Sequence, residues 1–287
     1  MHPGKKLRAS LAGRSLVTAP GVFDMISARI ADDLGFEALY MTGYGVSASI
    51  GLPDAGLATY TEMVGRAAQI CQGTRTPVVC DADTGFGGLL NVERTVRGYE
   101  AAGAAAIQIE DQVFPKRCGH TPGRRVVPVE DMVRKIKVAV ATRSSADFLV
   151  VARTDARTNH GLDEALRRGE AYAKAGADVL FIESPENEEE MAHIGRHFDL
   201  PLLANMADGG RTPILSRERL QALGYRIAIF PATGFLAAAK ALQHVYRTLK
   251  EKGSSDTLAA ELHSFDKFCR LVGFEHVWEF EQRWPET

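Results

Sequence analysis

The sequence predicts an α/β protein, a (β/α)8 TIM-type barrel with extra C-terminal helices. Short β-rich runs alternate with longer amphipathic helical patterns, which is typical of βαβ units and a parallel sheet. Runs such as FLVVAR, VLFIE and IAIFP are apolar on both faces, as strands of a buried parallel sheet are. Eight such units fit the 287 residues, since a closed barrel takes about 250.

The strands and helices are predicted in strict alternation. The expected strands are 16–22, 38–42, 77–82, 105–109, 148–153, 178–182, 201–205 and 226–230. The expected helices between them are 24–34, 61–71, 92–102, 128–142, 162–175, 188–197 and 216–223. Pro128 suits the first position of a helix, and Gly35, Gly103 and Gly176 fall where helices should end.

The C-terminal part carries more helix than one barrel needs, with patterns at 236–251 and 255–280. We expect one domain over 1–287, in which 253–287 form a helical extension. This tail must pack on its own barrel or on a neighbouring subunit, because it is rich in aromatic side chains: Phe265, Phe268, Phe274, Trp278, Phe280 and Trp284. An open, doubly wound sheet is the alternative fold, but no Gly-x-Gly-x-x-Gly follows the first strand.

Composition and charge indicate an ordinary soluble enzyme. The chain is 45% hydrophobic and 24% charged with a net charge of −2, so neither nucleic acid nor a membrane surface is expected as partner. No apolar run reaches the ~18–20 residues that span a bilayer. The start lacks the continuous apolar core of a signal peptide. Four cysteines make no disulfide framework, and a cytoplasmic location fits reduced thiols.

Acidic residues stand at the carboxyl ends of four predicted strands: Asp81, Asp83, Glu110, Asp111, Asp155 and Glu183. These ends converge on the catalytic face of a barrel, where like charges are costly unless a cation offsets them. Hard oxygen ligands at this density suit Mg²⁺. The alternative for any one acid is a helix cap or a pair with a nearby Arg or Lys. For the whole set, the sequence favours a metal site.

The loop KRCGH follows the fourth strand. Lys116, Arg117 and His120 surround Cys118 with positive charge, a setting that makes a thiol reactive. Gly119 allows a tight turn, and the polar composition is that of a mobile lid. We interpret the other three cysteines as small buried hydrophobic residues: Cys71, Cys80 and Cys269.

Three further features are candidates for substrate binding. Arg153 closes its strand, where a guanidinium can hold a carboxylate with two hydrogen bonds or form an ion pair in the acidic mouth. Asn205 ends the seventh strand. Gly43 and Gly45 around Tyr44 form an expected turn whose backbone N–H groups can face a carboxylate, although such glycines alone are weak evidence.

These segments together resemble the isocitrate lyase/phosphoenolpyruvate mutase superfamily over nearly the whole chain. The matching segments are TGYGVSASIGLPD, CDADTGFGG, IEDQVFPKRCGH, VARTDAR, the strand that ends at Glu183, and LANMADGGRTP. KRCGH is the specific element, because it marks the carbon–carbon lyases, whereas the phosphonate branch has a different loop without the cysteine. The resemblance implies a modified (β/α)8 barrel, dimers that swap a C-terminal helix, homotetramers built from them, and Mg²⁺, or Mn²⁺, in the mouth.

The resemblance also assigns expected roles to individual residues. It implies that Asp83 is the principal metal ligand and that Asp54, Asp81 and Glu110 bind through water. For the substrate it implies Tyr40, Thr42, Gly43 and Tyr44 at the pyruvyl end, Arg153 on the carboxylate there, and Glu183 with Asn205 at the second carboxylate. Cys118 matches the catalytic acid, and Lys116, Gly119 and His120 match its lid. The base is open between Tyr40, a thiolate and a water on the metal.

Within the lyases the short chain is similar to the members that cleave small 2-hydroxydicarboxylates to pyruvate. The segments TGYGVSA, ARTDAR and ADGGRTP favour 2,3-dimethylmalate first and 2-methylisocitrate second, since Tyr44 replaces a glycine of the methylisocitrate lyases. Oxaloacetate hydrolysis comes third, because Pro231 stands where those enzymes are expected to have a serine hydroxyl. Two rival functions stay open at this point: an enzyme of the phosphonopyruvate type, and a non-catalytic barrel that binds a dicarboxylate.

Overall fold

A computed structural model describes residues 2–13, 15–119 and 123–285. Eight parallel strands follow the order β6-β5-β4-β3-β2-β1-β8-β7. They are β1 (Val17–Val22), β2 (Leu39–Met41), β3 (Val78–Asp81), β4 (Ala106–Glu110), β5 (Leu149–Thr154), β6 (Val179–Ile182), β7 (Leu203–Asn205) and β8 (Ile227–Phe230). A parallel bridge between Leu180 and Leu202 joins the two edge strands, so the sheet closes into the predicted barrel.

Helices surround the barrel and extend beyond it. They are α1 (Pro3–Ala12), α2 (Met25–Asp33), α3 (Gly43–Ser49), α4 (Tyr60–Gly73), α5 (Leu89–Ala101), α6 (Val129–Thr142), α7 (Arg157–His160), α8 (Leu162–Lys174), α9 (Glu188–His197), α10 (Arg217–Ala222), α11 (Thr233–Lys252), α12 (Phe265–Leu271) and α13 (Phe274–Arg283). Side chains fix several of their starts, as at α2, where Asp24 Oδ1 accepts a 2.8 Å hydrogen bond from the Ser27 N–H. Among the described residues no helix combines the length and apolarity needed to cross a bilayer.

The predicted elements are confirmed, with boundaries that differ by up to three residues. Five details are different, and two of them are helices that were not predicted, α1 and α7. The Gly43–Tyr44–Gly45 segment begins helix α3 instead of forming a turn, and Thr42 caps it. Pro128 precedes α6 as its cap, so the helix begins one residue later than predicted. The pattern over 255–280 is divided into a 3₁₀ turn and two helices, and Gly273, with φ of +99°, separates α12 from α13.

The core has two layers, one inside the barrel and one between strands and helices. Leu7 and Leu11 of α1 pack against the inward-facing strand residues and close the amino-terminal end of the barrel. The approach of α1 is close: a Cβ on Gly4 would lie 1.9 Å from the Asp147 carbonyl oxygen, just before β5. The carboxyl end of the barrel is therefore the end left open for a site.

This packing generates a stability prediction. Leu7 is 1% exposed, so Leu7→Ala should lower the free energy of unfolding by about 2–5 kcal/mol through lost burial and a cavity. Leu90→Ala is the matched control, because that leucine is 80% exposed. Equilibrium urea unfolding measures both, and equal effects of the two changes would contradict a buried α1.

Candidate active site

A cavity opens at the carboxyl ends of the strands, where the sequence predicts the site. It offers about 190 Å³ to the centres of water-sized molecules, which is room for a small metabolite. The strand ends and the loop after β4 supply its polar wall, and the start of α11 supplies an apolar wall. Lining residues from the predicted set are Tyr40, Thr42, Tyr44, Asp54, Asp81, Glu110, Lys116, Cys118, Gly119, Arg153, Asn205 and Pro231.

Three of the predicted acids line the acidic side of the cavity, Asp54, Asp81 and Glu110, whereas Asp83 lies outside the lining and pairs with the lining residue Lys116. Lys116 is 4% exposed, and its Nζ pairs with Asp54 and lies 2.9 Å from Asp83 Oδ1. Burial alone would lower the pKa of Lys116, but Asp83 and Asp54 raise it well above its usual value, so the ammonium stays charged. Burial in turn raises the pKa of Asp83 to about 6, against the opposing effect of Lys116. Positive charge at this point stabilises the ionised acids.

These acids fit a divalent cation held mainly through water. Among the described residues no three His, Cys, Asp or Glu side chains converge closely enough to ligate one ion directly. Within the same part of the chain, Glu110 Oε1 is buried and has no hydrogen-bond partner, although burial, opposed by Arg153, raises the pKa of its carboxyl. Mg²⁺ usually takes one or two carboxylates and keeps several waters, so hard oxygen donors spread in this way suit it.

Arg153 forms the cationic side of the cavity. Its Nε and Nη2 each donate a 2.9 Å hydrogen bond to the Asp155 carboxylate, and its guanidinium lies 3.3 Å from Glu183 and 3.4 Å from Glu110. Asn205 Nδ2 donates a 3.0 Å hydrogen bond to Glu183 Oε2. The structure therefore brings these three predicted substrate residues together, with Glu183 fully buried behind the lining.

The loop after β4 places Cys118 in the cavity. The Cys118 N–H donates a 3.2 Å hydrogen bond to the Asp54 carbonyl, and Gln112 exchanges two hydrogen bonds with the backbone of Arg117. Gly119 has to be a glycine here, because a Cβ would lie 2.5 Å from Arg153 Nη2. The predicted lid residue His120 lies outside the described residues. Cys80 is buried as expected, whereas Cys71 and Cys269 are only half-buried, which corrects their interpretation as core residues.

Of the remaining predicted residues, Tyr40, Thr42, Tyr44 and Pro231 line the cavity, whereas Gly43 does not. Tyr40 Oη donates a 3.2 Å hydrogen bond to Gln108, and burial and Asp81 raise the pKa of its phenol, so it is a neutral donor. Gly43 lies so close to Asp81 that a Cβ would sit 2.5 Å from Oδ2. The Tyr44 ring packs on Phe235 with centroids 5.2 Å apart.

Asp111 and Asp155 do not join the acidic side, although the sequence groups them with the other acids. Asp111 is fully buried and accepts hydrogen bonds from Thr154, Tyr172 and Arg168 at 2.7 to 3.0 Å. It also accepts a 2.9 Å bond from the Asp155 N–H. Both carboxylates are therefore paired with arginines, as expected of an acid that does not bind the metal. Asp155 holds the Arg153 side chain directly, and Asp111 holds the backbone of Asp155.

Several lining residues are absent from the predicted set: Arg117, Ala207, Asp208, Ile229, Ala232, Phe235 and Leu236. Asp208 lies in the segment ADGGRTP, which carries part of the family resemblance, and its carboxylate accepts a hydrogen bond from Thr233 at the start of α11. Phe235 and Leu236 carry no local signal, because an apolar pair at a helix start looks like core.

Comparison with known proteins supports the family resemblance seen in the sequence motifs. The chain matches the family described as phosphoenolpyruvate phosphomutase over residues 7–250. It is 50% identical to the 2,3-dimethylmalate lyase of Eubacterium barkeri over 99% of both chains. It is 44% identical to a 2-methylisocitrate lyase of Aeropyrum pernix, over 100% of this chain and 91% of that protein. A solved oxaloacetate acetylhydrolase with bound 3,3-difluorooxalacetate is 35% identical and superposes with a TM-score of 0.93, over 98% of this chain and 96% of that one.

Fold, site and relatives define an enzyme, a carbon–carbon lyase on a (β/α)8 barrel. The chain belongs to the phosphoenolpyruvate phosphomutase family, within the isocitrate lyase/PEP mutase superfamily, as the motifs indicated. Members of this superfamily are metal-dependent.

The network behind Arg153 generates a pH prediction. Glu164 accepts a 2.8 Å hydrogen bond from Arg168, which in turn holds Asp111. A hydrogen bond from Arg167 lowers the pKa of Glu164, burial opposes this, and a hydrogen bond from Arg168 lowers the pKa further, so that it falls from 4.5 to about 2. Because the folded pKa is lowered, this contribution to stability is present above pH 4.5 and is lost as the pH falls towards about 2.

Glu164→Gln should therefore unfold more easily than wild type at pH 6, and the difference should narrow between about pH 5 and pH 3. Urea unfolding of the two proteins across this range measures it. A difference that stays constant with pH would show that Glu164 makes no charge-dependent contribution.

Proposed function

We propose that this lyase cleaves the C2–C3 bond of a small 2-hydroxydicarboxylate to give pyruvate and a second carboxylate. One observation carries the proposal: Cys118 lines the same cavity as Arg153 and the carboxylates of Asp54, Asp81 and Glu110. This reaction requires a thiol that donates a proton, a guanidinium that binds a carboxylate, and acidic residues that hold a metal ion.

The proposed cofactor is Mg²⁺, or Mn²⁺ in its place. Asp83 would hold it directly, and Asp54, Asp81 and Glu110 would hold it through water. When bound, the cation would lower the pKa of the substrate 2-hydroxyl and offset the negative charge that develops on that oxygen. Support comes from the oxygen donors themselves and from the unpartnered Glu110 Oε1 among the described residues.

The chain's own residues bind the substrate and supply a proton. Arg153 is proposed to hold the carboxylate next to C2, with Tyr40 donating a hydrogen bond at the pyruvyl end. At the second carboxylate end, Asn205 is proposed to contact the substrate, and Glu183, which lies behind the lining, orients Asn205 by accepting its 3.0 Å hydrogen bond. The 2-hydroxyl gives its proton to a base, which stays open between a thiolate and a water. The O–H electron pair forms the C2=O bond, C2–C3 breaks with its electron pair left on C3, and the Cys118 thiol protonates that carbon and becomes a thiolate. The raised pKa of Tyr40 favours a donor role over that of the base.

Side chains at the cavity mouth support a small substituent on C3. Tyr44 and Phe235 narrow the entrance, and Pro231 offers no hydroxyl to a hydrated ketone. We therefore propose 2,3-dimethylmalate as the type of substrate, with 2-methylisocitrate second. Oxaloacetate hydrolysis is the third candidate. The similarity to the oxaloacetate acetylhydrolase structure is compatible with this reaction but does not favour it over cleavage of 2,3-dimethylmalate.

We further propose a homotetramer, a dimer of dimers that exchange the C-terminal helices of 253–287. The C-terminal region exposes large apolar side chains that a neighbouring subunit could cover. In the chain alone, Phe265 is 83% exposed, Phe280 56% and Trp284 60%.

Pyruvate release, coupled to lactate dehydrogenase, tests the function. Wild type should turn over 2,3-dimethylmalate with Mg²⁺ and lose activity with chelator. Cys118→Ala should lose at least about 100-fold in kcat, because general acid catalysis contributes about 10² to 10⁴. The matched control is Cys71→Ala, a half-buried thiol outside the cavity lining, which should keep wild-type turnover.

Parallel reactions with 2-methylisocitrate, oxaloacetate and phosphonopyruvate discriminate the rival functions. Turnover of phosphonopyruvate that survives Cys118→Ala would assign a phosphorus–carbon enzyme instead. Ligand-induced stabilisation without any product would assign a binding protein. Either result is incompatible with the proposed lyase reaction.

A further inference from the structure

Two arginines share one buried carboxylate behind the cavity. Asp155 Oδ1 accepts a 2.9 Å hydrogen bond from Arg153 Nη2 and a 2.6 Å hydrogen bond from Arg124 Nη1. The side chain of Asp155 is fully buried, and that of Arg124 is 2% exposed. Burial acts to raise the pKa of Asp155, but Arg153 and Arg124 together hold it below its usual value, so the carboxylate stays ionised.

Arg124 is fixed in this position from two sides. Its Nη2 donates a 2.6 Å hydrogen bond to Thr158 Oγ1, and its backbone carbonyl accepts one from Asn159 Nδ2. Neither of these contacts reaches the cavity, and Arg124 is not among the lining residues. The shortest route from Arg124 to a bound molecule runs through Asp155 and Arg153. A weaker route is the 3.5 Å hydrogen bond from Arg124 Nη2 to Ser184 Oγ, which in turn donates to Glu183.

The charges around Arg153 require a second cation. Its guanidinium faces three carboxylates, those of Asp155, Glu183 and Glu110. Burial raises the pKa of the Glu110 carboxyl, so the opposing charges are chiefly those of Asp155 and Glu183. One positive charge against these two would repel a substrate carboxylate, because charges interact strongly in a buried site. Arg124 neutralises Asp155, so more of the positive charge of Arg153 remains available on the cavity side.

We propose that Arg124 is a positioning residue that keeps the Arg153 end of the cavity able to accept a carboxylate. It acts in two ways, by offsetting the charge of Asp155 and by orienting the carboxylate whose two oxygens hold Arg153. This inference rests on the proposed function only in that a small dicarboxylate binds at Arg153.

Calorimetric binding of oxalate in the presence of Mg²⁺ tests the inference without turnover. Arg124→Gln should weaken oxalate binding by at least about tenfold, since Arg153 alone must then offset the buried charge of Asp155 and has less positive charge left for oxalate. Arg124→Lys keeps the charge and should stay within about threefold of wild type. The matched control is Arg157→Gln, because that arginine pairs with Glu186 and Glu190 outside the cavity.

A double-mutant cycle separates the charge effect from a folding defect. Asp155→Asn removes the charge that Arg124 offsets, so adding Arg124→Gln to it should change oxalate affinity by less than about threefold. The double variant has no buried negative charge at position 155, so it can still be measured if Arg124→Gln alone does not fold.

Three results would overturn the inference: equal oxalate affinity in wild type and Arg124→Gln, loss in Arg124→Lys as large as in Arg124→Gln, or a full additional loss in the Asp155→Asn background. Absence of oxalate binding to wild type would overturn it as well. The pyruvate assay tests the proposed function separately. Wild type can release pyruvate even if the oxalate-binding experiments contradict the role of Arg124.

Discussion

Crowding of negative charge at one end of the barrel is the constraint on which the rest of the site depends. Parallel strands bring their carboxyl ends to a single mouth, where Asp54, Asp81 and Glu110 line the cavity. A fourth acid, Asp83, pairs with the lining residue Lys116. Buried carboxylates at this density are costly without cations. Lys116 and Arg153 supply part of that positive charge from the chain, and the proposed divalent cation would supply the rest.

The local backbone is built around these charges. Gly43 and Gly119 lack the side chains that would collide with Asp81 and Arg153, so the helix start and the loop can approach them. Asp111 and Asp155 lie one layer further back, where arginines hold both carboxylates and Asp155 in turn holds Arg153. The acids at the mouth are placed where they could bind a cation, whereas arginines already offset the charge of the acids in the layer behind it.

The sequence predicts much of this arrangement because its signals are local. Strands that are apolar on both faces identify the barrel, acids at strand ends identify the mouth, and KRCGH identifies the reactive loop. It does not separate Asp111 and Asp155 from the other acids, because their partners Arg168 and Arg124 are distant in the chain or lie in a loop. Nor does it show that Tyr44 meets Phe235, because that contact joins two helices remote in sequence.

The most direct test of the account is the binding of Mn²⁺, followed by electron paramagnetic resonance, to wild type and Asp83→Asn. The account predicts one site in wild type and at least about tenfold weaker binding in the variant, because the proposed direct ligand loses its charge. The exposed Asp33→Asn should bind like wild type. Equal Mn²⁺ affinity in wild type and Asp83→Asn would contradict the claim that the acidic mouth is built to hold a divalent cation.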